Sequence, residues 1–80
     1  VRGRIAEALL LLSESYKDEK NPEGVVSITR EDLASYVGTV KETAIRVLKD
    51  LKDEGLIVTN NHTITILDPK GLTRVCELYD

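Results

Sequence analysis

The sequence predicts an α+β domain, mostly helical, with a β-hairpin near its C-terminal end. Three observations carry that expectation. Apolar residues recur at helical spacing in several stretches, and Gly38 and Gly55 close two of them. Residues 56–59 and 63–67 are β-branched runs on either side of Asn60-Asn61-His62, which reads as a hairpin turn. The third is size: 80 residues form one domain, here taken as 1–80, with a single modest core. Hydrophobic residues at 41% and charged residues at 31% give the balance of a folded chain rather than a disordered one.

Each element has its own signal. Ile5, Ala8, Leu9, Leu12 and Tyr16 form the apolar stripe of a first helix. Leu10 lies about 140° from Ile5 at 100° per residue, so the sequence places it outside that stripe, beside Ala6 and exposed. Residues 17–24 are charged, contain Asn21-Pro22 and Gly24, and read as a loop. Residues 25–28 are short and β-branched, which fits a brief strand. Thr29 and Asp32 resemble a capping box opening a second helix, which turns Leu33, Ala34 and Val37 inward and stops at Gly38. A third helix spans about 40–54, and the two β-branched runs follow it as a wing over about 56–67. Asp68-Pro69 supplies an N-cap and a first-turn proline for a short last helix, whose stripe is Leu72, Val75, Cys76 and Tyr79. The three tyrosines read as core or rim packing, and Cys76 as a small buried hydrophobe.

Several function classes fall away on composition. One Cys excludes an internal disulfide and points to a reducing, cytoplasmic setting. One His and one Cys make a zinc site unattainable without carboxylates or a second chain. The longest apolar run, residues 8–12, is far shorter than the ~20 residues that span a bilayer, and no signal-peptide cleavage pattern follows it. A chain that opens on Val and lacks Met reads as part of something longer. No Gly-rich phosphate loop and no nucleophile–base arrangement is present, so an enzyme is not expected, nor a cofactor for this segment. The net charge of −3 is evenly spread, and residues 31–55 hold six acidic and four basic side chains. Nucleic-acid binding therefore cannot rest on bulk electrostatics and needs a local arrangement.

Residues 29–55 supply one. Two helices that cross tightly need a small residue at the crossing and a residue tolerant of positive φ in the turn; Ala34 and Gly38 fit those roles. The third helix then divides by periodicity. Ala44, Val47, Leu48 and Leu51 take one arc, and Lys41, Glu42, Ile45, Arg46 and Lys49 take the opposite side. Cations near a helix start, one of them a forked guanidinium, suit a major-groove reader, and a hairpin directly after that helix supplies the wing. The predicted architecture is a winged helix-turn-helix: three-helix core, β-hairpin wing and short C-terminal helix.

Residues 29–49, with Leu51, residues 54–57 and residues 66–69, resemble the C-terminal DNA-binding domain of the Crp/Fnr family of bacterial transcription regulators. The likeness runs from about Arg4 to Val75 and is most specific in the helix-turn-helix. It implies base reading at Lys41, Glu42 and Arg46, and a phosphate contact at Thr43. It also implies an N-terminal sensor domain and a dimerisation helix outside this segment, an effector for that sensor, homodimeric binding to an inverted repeat in double-stranded DNA, and RNA polymerase as a candidate partner. Three positions depart from the family pattern: Val40 replaces a Ser, Lys41 an Arg, and Ile45 a small or polar residue. Lysine lacks the bidentate fork, and among base-edge groups Ile45 can meet only a thymine methyl, so the operator is expected to differ from the best-known family site.

Simpler readings stand beside these. Glu42 and Arg46 are spaced i, i+4 and equally describe a surface ion pair worth ~0.3–0.5 kcal/mol. Thr39 and Thr43 either hydrogen-bond phosphate or merely cap and pack. Lys49 is either a phosphate contact or a solvated helix charge, and His62 either a wing contact or an exposed turn residue. As a whole, the domain is either a sequence-specific DNA-binding unit or a winged helix that binds protein, the latter favoured by its acidic charge and by Ile45.

Overall fold

The computed structural model describes the backbone of residues 2–79 and the side-chain surroundings of residues 2–77. The chain runs α1 (Arg2–Tyr16), β1 (Val26–Ser27), α2 (Arg30–Val37), α3 (Lys41–Asp53), β2 (Ile57–Asn60), β3 (Thr63–Ile66) and α4 (Pro69–Tyr79). The predicted elements form in the predicted order, and local chemistry explains their ends. Thr29 Oγ1 accepts from the Asp32 N–H at 3.0 Å and opens α2. Gly38, at φ 79°, closes it in the left-handed conformation, with its N–H donating to the Ala34 and Ser35 carbonyls. Asp68 Oδ1 accepts from the Gly71 N–H at 3.0 Å, the cap expected for α4.

The sheet has one more strand than the predicted hairpin. β1 pairs antiparallel with β3, giving the order β1-β3-β2, with Val26 opposite Ile64. The wing is thus tied to the segment that leads into α2. Asn61, at φ 56°, makes the turn between β2 and β3, a conformation Asn tolerates better than most residues.

The core is aliphatic. Ile5, Leu9, Val26, Leu33, Leu51, Ile57, Ile64 and Leu72 are fully buried, so every layer contributes. It is not confined to three helices: α4 packs extensively on α1 and buries Leu72 and Val75. That packing corrects the reading of the first helix. Ala6 is fully buried, Leu10 is half-buried against the core, and the exposed leucine is Leu11 at 57%. Sheathed by α4, α2, α3 and the sheet, α1 buries a wider arc than one stripe. Cys76 is half-buried rather than enclosed, packed against the core edge. Tyr16 sits at the rim, its hydroxyl donating to the Ser27 carbonyl at 3.1 Å, whereas Tyr36 is exposed. The side chain of Tyr79 lies outside the described residues.

Candidate nucleic-acid interface

The turn between α2 and α3 fixes the angle at which α3 is presented. The Thr39 N–H donates to the Ala34 carbonyl at 2.8 Å, beside the Gly38 bonds to the same turn. Val40 then caps α3 with extended backbone and no side-chain bond. Ala44, Val47, Leu48 and Leu51 face the core as predicted, which leaves Lys41, Glu42, Ile45, Arg46 and Lys49 exposed on the outer side.

The surface ion pair that their i, i+4 spacing allows between Glu42 and Arg46 does not form. Among the described residues neither side chain has a hydrogen-bond or ion-pair partner, so both are available to a ligand. Lys41 Nζ reaches Glu31 Oε1 at 3.3 Å and Lys49 Nζ lies 4.0 Å from Asp53 Oδ2. Both pairs are solvent-exposed and hold their cations only weakly, by about 0–1 kcal/mol.

The wing turn is fastened beside α3 at two points. The Ile28 N–H donates to the His62 carbonyl at 2.8 Å, and Arg30 Nη1 donates to the Asn61 carbonyl at 2.8 Å. Arg30 is the first residue of α2, so one side chain links the start of the helix-turn-helix to the wing tip. Between wing and α3 lie two surface grooves. One, of about 450 Å³, is bordered by Arg30, Glu31, Lys41, Ile45, Asn61 and His62. The other, of about 250 Å³, is bordered by Arg30, Ile45, Leu48, Lys49, Lys52 and Thr59.

These grooves bring together Lys41, Ile45, Lys49 and His62 of the predicted residues, while Glu42 and Arg46 project from the same helix outside them. Thr39 and Thr43 are half-buried and border neither groove; Thr43 lies about 160° around the helix from Ile45 at 100° per residue. Arg30 was missed by sequence reasoning. One cation after an N-cap carries no signal of its own, and only the fold sets it against the wing. Among the described residues no cluster of His, Cys, Asp or Glu is arranged to hold a metal, and no helix is long and apolar enough to cross a membrane.

Comparison with known proteins agrees with the fold. Residues 3–75 match the model of the Crp-like helix-turn-helix domain. The chain belongs to that family. It is 38% identical over 78 residues to the transcriptional regulator SdrP of Thermus thermophilus, covering 96% of this chain and 39% of that protein. It is 39% identical over 67 residues to the cAMP-activated global transcriptional regulator CRP of Salmonella typhimurium, covering 82% of this chain and 32% of that protein. A solved CRP/FNR-family regulator from Thermus thermophilus superposes with a TM-score of 0.84 at 40% identity, over 96% of this chain and 40% of its own. This Crp-like domain thus spans less than half the length of the relatives it matches, and the match confirms the winged helix-turn-helix architecture.

Proposed function

We propose that this Crp-like domain binds double-stranded DNA sequence-specifically in transcription regulation, with α3 in the major groove and the wing on flanking phosphate. The observation that carries the reading is the outer face of α3, where Glu42 and Arg46 stand exposed and, among the described residues, unpaired beside a wing pinned by Arg30. A guanidinium so placed matches guanine O6 and N7, and a carboxylate matches the cytosine amino group. Lys41 and Ile45 complete the base-reading set, with Thr39, Thr43, Lys49 and His62 assigned to phosphate. One helix of this kind reads about four or five base pairs, too few for selectivity among ~10⁶–10⁹ competing sites. The working unit is therefore a cytoplasmic homodimer on an inverted repeat, its half-site centres about 34–36 Å apart. The effector of a sensor region, and any contact with RNA polymerase, belong to the longer protein.

Gel-shift titration on a duplex selected from a random pool tests this. Arg46→Ala should cost about 1–3 kcal/mol of specific affinity with the thermal melt unchanged, because Arg46 leaves the core arc. The acidic charge of −3 and the 45% exposure of Ile45 favour a second reading, a winged helix that docks on protein. Counterion release separates the two: DNA binding weakens steeply as salt rises, and the absence of duplex affinity at low salt would leave the protein-docking reading standing.

A further inference from the structure

The most unusual residue of the α3 outer face is Ile45. An isolated exposed isoleucine is ordinary on a protein surface. Ile45, however, is the one side chain of α3's outer face that borders both grooves, and Arg30, Lys41, Lys49 and Lys52 share those borders with it. An apolar group rimmed by four cations and one carboxylate, Glu31, which pairs with Lys41, suits a polyanion that itself offers an alkyl group. The DNA major groove has one such group, the C5-methyl of thymine.

We infer that Ile45 reads a thymine methyl, an assignment that rests on α3 being the major-groove helix. Helical geometry also assigns the position of that base. Arg46 is rotated about 100° from Ile45, and Glu42 about 60°, both away from the wing side. Ile45 borders the groove shared with Asn61 and His62. The thymine thus lies next to the base pair read by Glu42 and Arg46, between it and the backbone gripped by the wing. Selectivity has two sources. A β-branched side chain with few rotamers packs on the methyl at small entropic cost. Against cytosine or guanine the same side chain would cover the amino or carbonyl edge without offering a hydrogen bond.

Deoxyuridine removes the C5-methyl and leaves the base-pairing edge intact. The 80-residue chain at low salt would be titrated on its selected duplex, with each thymine replaced by deoxyuridine in turn. The parent and two variants, Ile45→Ala and Arg46→Ala, would be compared, with thermal melts confirming that each is folded. One replacement, adjacent to the Glu42–Arg46 base pair, should weaken the parent about three- to fivefold, the worth of one buried methyl. Ile45→Ala should bind the thymine and uracil duplexes equally. A parent indifferent to every replacement, combined with a clear loss for Arg46→Ala, overturns the thymine assignment and leaves α3 as the reading helix. Indifference to both the replacements and Arg46→Ala overturns the reading of α3 itself, and the thymine assignment with it.

Discussion

Replacing Gly24 by alanine should destabilise the domain by about 2–5 kcal/mol, more than the same change at Gly38. Both glycines adopt positive φ, 68° at Gly24 and 79° at Gly38, so both changes impose the left-handed conformation on a residue with a Cβ, at about 1–2 kcal/mol. Their surroundings differ. A Cβ at Gly38 would meet nothing within 4 Å, whereas one at Gly24 would lie 2.5 Å from the Ser13 carbonyl oxygen and 2.9 Å from Lys17 Cγ, and would also collide with Ser13 Oγ. Relieving that collision moves the loop off α1, an overpacking cost of about 1–3 kcal/mol. It also endangers the bond from Ser13 Oγ to the Gly24 carbonyl, 2.9 Å long and buried. Urea unfolding followed by circular dichroism measures both variants. Gly38→Ala should lower the urea midpoint modestly and Gly24→Ala should lower it further, with a thermal melt of Gly24→Ala showing a Tm reduced by roughly 8–40 °C. Equal losses for the two would refute the packing of Gly24 against Ser13, and with it the anchoring of the loop that leads into β1 and the wing.

Other substitutions test the remaining parts. Gly71→Ala places a Cβ 2.5 Å from Leu56 Cδ2 and 2.6 Å from Asp68 Oδ2, so it should disturb the α4 cap and cost about 1–2 kcal/mol in urea unfolding. Arg30→Ala removes the bond to the Asn61 carbonyl, worth about 1 kcal/mol; amide exchange in the wing turn should quicken while the core amides stay protected. Glu42→Ala should relax base preference at one operator position more than it weakens binding, since a carboxylate repels phosphate; selection of new duplexes by the variant reads this directly. Fusing a dimerising helix ahead of Val1 should raise affinity for a two-half-site duplex over a one-half-site duplex in gel shifts. Equal affinity of the fused and unfused chains for both duplexes would sink the dimer.

What the sequence showed and what it hid follow from the range of the forces involved. Caps and turns are local, so Thr29, Gly38, Gly55 and Asp68 mark their helix ends in the order of the residues alone. The inward arc of α3 is equally legible, because a helix with one buried face repeats its apolar residues every 3.6 positions. Helix α1 defeats the same reasoning. It is covered on several sides, so Ala6 and Leu10 turn inward where a single stripe leaves them out. The pairing of the predicted strand at 25–28 with the hairpin is hidden for a related reason. Residues 26 and 27 are extended by preference, but their pairing with 64 and 63 is set across a long stretch of chain. Arg30 is the case nearest to function. Its bond to Asn61 spans 31 positions, and no periodicity reports a contact that distant.

The charge of the domain shapes what its interface can achieve. Residues 31–55 hold six acidic and four basic side chains, and two of those cations already lie near carboxylates, Lys41 beside Glu31 and Lys49 near Asp53. Non-specific affinity for DNA comes almost wholly from releasing counterions, so a surface this balanced gains little from duplexes of arbitrary sequence. Exposed pairs break at small cost, however, so on the proposed reading Lys41 can leave Glu31 for a base edge and Lys49 can leave Asp53 for a phosphate. Arg46 needs no such exchange, having no partner among the described residues. On the proposed reading the balanced charge weakens the sequence-independent attraction to every duplex alike, so that discrimination falls to base contacts proposed for Lys41, Glu42, Ile45 and Arg46.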